Sequence, residues 1–66
     1  MPVYNDIKKM RIAKGITQDE LAAAVGVSRQ TIVAIEKGNY TPSLVLAMDL
    51  AHIFKVSVER LFTIKK

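Results

Sequence analysis

The 66-residue chain has no cysteine, no tryptophan and a single histidine, with only three glycines, two prolines, two tyrosines and two phenylalanines. Zero cysteine excludes a disulfide staple and a thiolate metal site, and His52 alone cannot assemble a zinc cluster. The same shortages close the enzyme reading. One histidine and no paired carboxylates at site-like spacing supply neither a nucleophile with its base nor a metal centre. Three isolated glycines make no phosphate-cradling or dinucleotide-binding loop. Long apolar runs are missing too: Leu21–Val25 falls far short of the ~20 residues of a membrane span, and no signal-peptide-like apolar region opens the chain. The expectation is a soluble, cytoplasmic protein with no metal, cofactor, small-molecule ligand or membrane contact.

What is present fits one domain, residues 1–66. So small a chain buries only about 60% of its unfolded surface, so tight helix packing or a partner chain must supply the missing stability. With all residues assigned to one fold, no sensor domain is expected, and regulation falls to concentration, a partner or self-association. Ten Lys and Arg against six Asp and Glu give a net charge of +4 and a pI near 9.7. An excess of positive charge suits a polyanion through counterion release, without identifying it.

Caps and stops cut the chain into five short helices. Asn5 or Asp6 caps a helix to Lys14, with Ile7, Met10 and the stem of Lys14 inward and Gly15 as its stop. Thr17-Gln-Asp-Glu20 matches the capping box and opens a second helix, with Leu21, Ala24 and Val25 inward and Gly26 as its end. Ser28 caps a third, from Arg29 to about Lys37, whose Ile32 and Ile35 share a face. Gly38 to Pro42 must be a loop. Ser43 caps a fourth helix to Phe54, with Leu44, Ala47, Leu50, Ala51 and Phe54 at 3-4-3 spacing, and Ser57 caps a last turn to Leu61. Leu61-Phe62-Thr63-Ile64 and Val3-Tyr4 are instead β-branched and aromatic. Either both ends fray or they pair as a short two-stranded β element, within one chain or between two.

The second and third helices carry the strongest signal. Counting from Gln18, a small residue occupies the fifth position (Ala22), glycine the ninth (Gly26), and branched aliphatics the fifteenth and eighteenth (Ile32, Ile35). Ala22 permits close helix approach, Gly26 supplies a positive φ for the turn, and Leu21, Val27, Ile32 and Ile35 fill the wedge between the helices. This spacing is that of a helix-turn-helix, which projects the start of its second helix outward.

The stretch TQDELAAAVGVSRQTIVAIEKGNYTPSL, Thr17 to Leu44, resembles the XRE-type helix-turn-helix family that includes the lambda-like phage repressors and Cro. Gln18, Leu21, Ala22, Gly26, Val27, Ser28, Ile32, Ile35, Glu36 and Gly38 match together, and IKKMRIAKGI and LAMDLAHIFKVSVERLF extend the likeness over nearly the whole chain. It is similar in particular to the short stand-alone repressors of that family. The resemblance implies a compact all-α, five-helix domain that binds double-stranded DNA as a C2 homodimer, as a transcriptional repressor on a pseudo-palindromic operator. The short subgroup implies terminal strands in a small sheet.

Residue by residue, Arg29, Gln30 and Thr31 have the chemistry for base edges: Arg onto guanine, Gln onto adenine, a Thr methyl onto thymine. Val33 and Ala34 extend the same exposed face. The alternative for Arg29 and Gln30 is a solvated first turn. Gln18 resembles the family's phosphate-contacting glutamine, and Ser28, Lys37, Asn39, Tyr40 and Thr41 fall where the family meets the DNA backbone. Tyr40 equally suits a core lid, and it stands where many relatives carry Asp or Asn. Arg11 and Glu36 match the family's structural ion pair between the first helix and the end of the recognition helix. Lys55 stands where the fourth helix often stops on glycine, so a left-handed lysine or another cap is expected.

Val45, Leu46, Met48, Ile53, Val58 and Leu61, with Ile12, exceed what one small core needs. A homodimer interface absorbs the surplus, with Val58, Leu61, Phe62 and Ile64 as its expected residues. The competing reading is an interaction module with a toxin-like protein partner. Retention of Arg29, Gln30 and Gln18 favours DNA.

Overall fold

Four of the five helices begin at a hydroxyl. In the computed structural model, which describes residues 3–64, the chain runs β1 (Val3–Asn5), α1 (Ile7–Lys14), α2 (Gln18–Val25), α3 (Arg29–Glu36), α4 (Leu44–Phe54), α5 (Val58–Leu61) and β2 (Phe62–Ile64). Ser28, Ser43 and Ser57 each accept a hydrogen bond from the backbone amide three residues on, at 3.1–3.2 Å, which satisfies a donor the helix start leaves open. Thr17 does more: its hydroxyl accepts from the Glu20 amide at 3.0 Å while the Glu20 carboxylate accepts from the Thr17 amide at 2.9 Å, closing the capping box. α1 starts differently. Asp6 occupies the cap position without a side-chain bond to the helix, and the carbonyl of the Asn5 side chain accepts from the Ile7 amide at 3.1 Å in its place.

The two chain ends pair with each other in one antiparallel sheet, in the register Val3↔Ile64, Tyr4↔Thr63 and Asn5↔Phe62. The Asp6 amide extends the pairing by donating to the Leu61 carbonyl at 3.0 Å. The sheet therefore closes within a single chain.

Ile7, Leu21, Ala22, Ile32, Ile35, Leu50, Ala51 and Leu61 form one buried cluster, drawing on every helix. Met10, Val25, Val27, Leu46, Ile53, Phe54, Val58 and Phe62 pack around it half-buried. Several expected positions fall elsewhere. Lys14 is exposed, and so is Ala24, because α2 turns Leu21 and Ala22 inward and carries Ala24 to the far side. Leu44, at the first turn of α4, stays 70% exposed: the helix meets the core only from Leu46 and Ala47 onward. Leu61 reverses most sharply. Expected at a dimer interface, it is 1% exposed inside its own core, because the Asp6–Leu61 backbone bond draws the end of the short α5 inward. Val58 and Phe62 are also partly taken up by the core, which leaves Ile64, 58% exposed, as the open member of that expected set. Among the described residues no helix is long and apolar enough to cross a membrane.

Three helices end on a left-handed residue, Gly15, Gly26 and Lys55, and the last two show opposite chemistry. Gly26 sits at φ 74°, where a side chain is strained, although a Cβ built there would meet nothing within 4 Å. Lys55 adopts φ 56° with its amide bonded back to α4, so the lysine itself is the stop. The two positions predict opposite responses. Gly26→Ala should cost about 1 kcal/mol through backbone strain alone, and Lys55→Gly should raise stability by roughly 0.5–1 kcal/mol. Urea midpoints at constant m-value measure both.

Candidate nucleic-acid interface

The turn between α2 and α3 is short because Ala22 and Gly26 allow it to be. Ala22 is nearly buried, and its carbonyl accepts from the Val27 amide at 3.0 Å, so the chain leaves α2 and enters α3 within three residues. Ile32 and Ile35, both fully buried, anchor the inner face of α3. Its first side chains then have nowhere to go but outward: Arg29 and Gln30 are exposed. Arg29 approaches Asp19 at 3.9 Å, a long contact between two exposed groups, too weak to fix its position. Thr31 is half-buried and shares its hydroxyl with that of Ser28 at 3.0 Å. Val33 and Ala34 are half-buried rather than fully open.

Around this helix lie the expected backbone-contacting groups. Ser28 caps α3 at its start, while Lys37, Asn39, Tyr40 and Thr41 are all exposed just beyond its end. Tyr40 is 48% exposed, which removes the core-lid alternative. Gln18, at the first position of α2, is half-buried and its side-chain amide donates to Glu36 Oε1 at 3.0 Å. α2 therefore touches α3 near both ends, through Asp19 at the start and Gln18 at the finish.

Arg11 is the centre of a network that holds the end of α3. Its Nε donates to Glu36 Oε2 at 2.7 Å, one Nη donates to Glu36 Oε1 at 3.3 Å, and the other donates to the Ile16 carbonyl at 3.0 Å. The side chains are 12% and 4% exposed, so this is a largely desolvated, two-pronged pair. Burial alone would push the Glu36 carboxyl up, but the hydrogen bonds from Arg11 and Gln18, with the nearby charges of Arg11 and Lys8, outweigh it and hold its pKa below the ordinary carboxylate value. On the other partner, the hydrogen bond to Glu36 raises the Arg11 pKa against the opposing effect of burial. Two further ties were not visible in the sequence. The Asn5 side-chain amide donates to the Ile35 carbonyl at 2.9 Å, across 30 positions, and Lys8 stands close enough to Glu36 to stabilise its charge. Only the helix-capping role of Asn5 has a local signature.

The network predicts an acid-side dependence. Because the Glu36 pKa is depressed on folding, its contribution is present above the unfolded-chain value of about 4.3 and is lost as pH falls through the lower folded value. Glu36→Gln should cost about 3 kcal/mol at pH 7, the low end for removing one member of a buried pair, and should flatten the fall in stability below pH ~4.5. Denaturant titrations from pH 3 to 7 on both proteins check the sign and the window.

Comparison with known proteins agrees with this geometry. A helix-turn-helix family model matches residues 7–61. The uncharacterized HTH-type transcriptional regulator MJ0272 of Methanocaldococcus jannaschii is 52% identical over 58 residues, 88% of each chain. The restriction-modification controller protein C.AhdI from Aeromonas hydrophila superposes with a TM-score of 0.75 at 30% identity over 82% of each chain. A solved protein from Bacteroides fragilis gives a TM-score of 0.82 at 28% identity, over 92% of this chain and 98% of its own. The chain belongs to the XRE-type helix-turn-helix family of DNA-binding transcriptional regulators.

Proposed function

We propose that the chain is a transcriptional repressor that binds a pseudo-palindromic operator as a C2 homodimer, with α3 of each protomer in the major groove. The observation that carries this reading is the pairing of an exposed Arg29 and Gln30 with a rigidly anchored helix behind them. Arg29 forks onto guanine O6 and N7, and Gln30 onto adenine N6 and N7. Thr31, its hydroxyl shared with Ser28, offers its methyl to thymine, and Val33 and Ala34 add apolar contact further along. Gln18, Ser28, Lys37, Asn39, Tyr40 and Thr41 hold the phosphates on either side and set the register.

Self-association is supported by an apolar surface the core does not cover. A groove of about 400 Å³ runs between Pro42, Leu44 and Ala47 on one side and Val58, Phe62 and Ile64 on the other. Leu44, Val45 and Met48, on the outer face of α4, are 70%, 69% and 54% exposed. One helix-turn-helix module buries only roughly 600–1,000 Å² on DNA, so a second half-site supplies the affinity that one lacks. The protomer measures 32 × 22 × 20 Å. Two such bodies set end to end along the long axis have centres about 32 Å apart, close to the ~34 Å between successive major-groove faces. A dimer over two grooves represses by occlusion, with no further activity needed.

Selection of random duplexes with the purified protein, with the mass of the complex measured alongside, tests the whole reading. An inverted repeat bound by two chains is the expected result, and enrichment of no sequence would overturn it. Arg29→Ala should reduce the preference for operator over random duplex by ~1–3 kcal/mol, whereas Lys37→Ala, at an exposed position outside the Arg11–Glu36 network, should weaken both about equally. Equal losses on both duplexes for Arg29→Ala would remove that side chain from base reading. Leu44→Asp, at an exposed position, should leave the fold intact and halve the solution mass seen by sedimentation.

A further inference from the structure

Asn5 does two things with one side chain. Its carbonyl oxygen accepts from the Ile7 amide at 3.1 Å and so caps α1, while its amide nitrogen donates to the Ile35 carbonyl at 2.9 Å in the last turn of α3. Its backbone is held from the other side. Asn5 pairs with Phe62 in the sheet, the next amide bonds to the Leu61 carbonyl at 3.0 Å, and Arg60 reaches Asp6 at 3.2 Å. The residue thus stands between the α5–β2 segment and the helix that carries the base-reading side chains.

Elsewhere along this boundary the strand and the helix end do not close on each other. A cleft of about 390 Å³ opens beside Asn5, with Val3 and Tyr4 on one side and Glu36, Lys37 and Gly38 on the other. Beside such an opening a directed hydrogen bond, rather than close packing, must set the distance between β1 and α3. The Ile35 carbonyl also accepts from the Gly38 amide at 3.0 Å, so Asn5 is its second donor, and ties this last turn of α3 to β1 from outside the helix.

We propose that Asn5 is a positioning residue for DNA reading: its amide sets the tilt of α3 relative to the terminal sheet, and with it the angle at which Arg29 and Gln30 enter the groove. Phe62 and Ile64 of that sheet line the apolar groove described above, so the same amide links the placement of the self-association surface to the placement of the reading helix. The proposal rests on the sequence-specific, dimeric reading given under Proposed function. Its effect is on discrimination, because phosphate contacts tolerate a small change in tilt that bidentate base contacts do not.

The capping and clamping roles separate by substitution. Asn5→Asp keeps the shape and the acceptor for the Ile7 amide but turns a carboxylate oxygen toward the Ile35 carbonyl. Asn5→Ser keeps a good helix-capping hydroxyl, without charge, and is too short to reach Ile35. The measurement is Kd on a selected operator and on a random duplex at one salt concentration, with thermal melting of the free proteins. Both variants should fold and bind the random duplex like the parent, while their preference for operator drops roughly fivefold or more, the scale of one net hydrogen bond. A parent chain with clear operator preference and variants with the same preference would overturn the proposal alone, as would equal losses on both duplexes that track a fall in melting temperature. A parent with no operator preference would overturn the specific-binding reading and this proposal together.

Discussion

A single guanidinium, held out of water among three acceptor atoms, locates the helix on which this domain's function depends. Arg11 comes from α1, its neutral acceptor Ile16 from the α1–α2 connection, and its charged acceptor Glu36 from the last position of α3. Gln18 brings α2 to the same carboxylate. Three helices therefore share one polar junction, at the end of α3 opposite Arg29 and Gln30. Apolar contact through Ile32 and Ile35 presses α3 against the core, but such contact is non-directional and would tolerate rotation or sliding. The forked ion pair restricts both relative to α1. Its net worth in stability is modest once desolvation is counted, and its worth in orientation is large.

The remaining polar groups divide by task. Hydroxyls at four helix starts decide where those segments begin, the two chain ends fasten to each other through the sheet, and the face proposed to meet DNA consists largely of residues those tasks leave free. Gln18, Ser28 and Thr31 are the exceptions, since each has part of its hydrogen-bonding capacity committed inside the protein.

Local signals made most of the fold readable from the chain. Thr17 with Glu20, and Ser28, Ser43 and Ser57, announce helix starts within three residues, and Gly15 and Gly26 announce stops just as locally. Lys55 in the left-handed region follows from the lack of a glycine there. Facing was less legible. Leu44 fits the helical stripe of α4 yet stands in solvent, because the stripe begins one turn before the helix reaches the core, and Leu61 is drawn inward by a bond to Asp6, 55 positions away. At the site, the outward position of Arg29 and Gln30 follows from the burial of Ile32 and Ile35, a periodicity argument that needs no tertiary knowledge. The Asn5–Ile35 bond and the Gln18–Glu36 bond depend on which helix ends meet, and no spacing in a single sequence carries that.

The exposure of Arg29 and Gln30 has a consequence over evolutionary time. Neither side chain caps a helix, fills the core or holds a buried charge, so replacements there fall in the class that shifts stability by about 0.5 kcal/mol or less. With base reading assigned to these two positions as proposed above, a lineage can change its preference there without first acquiring a compensating, stabilising mutation. At Gln18 or Glu36 the same freedom is absent, because a substitution there also loosens the junction that holds the helix. New binding preferences should therefore arise at the front of α3 while its rear stays fixed.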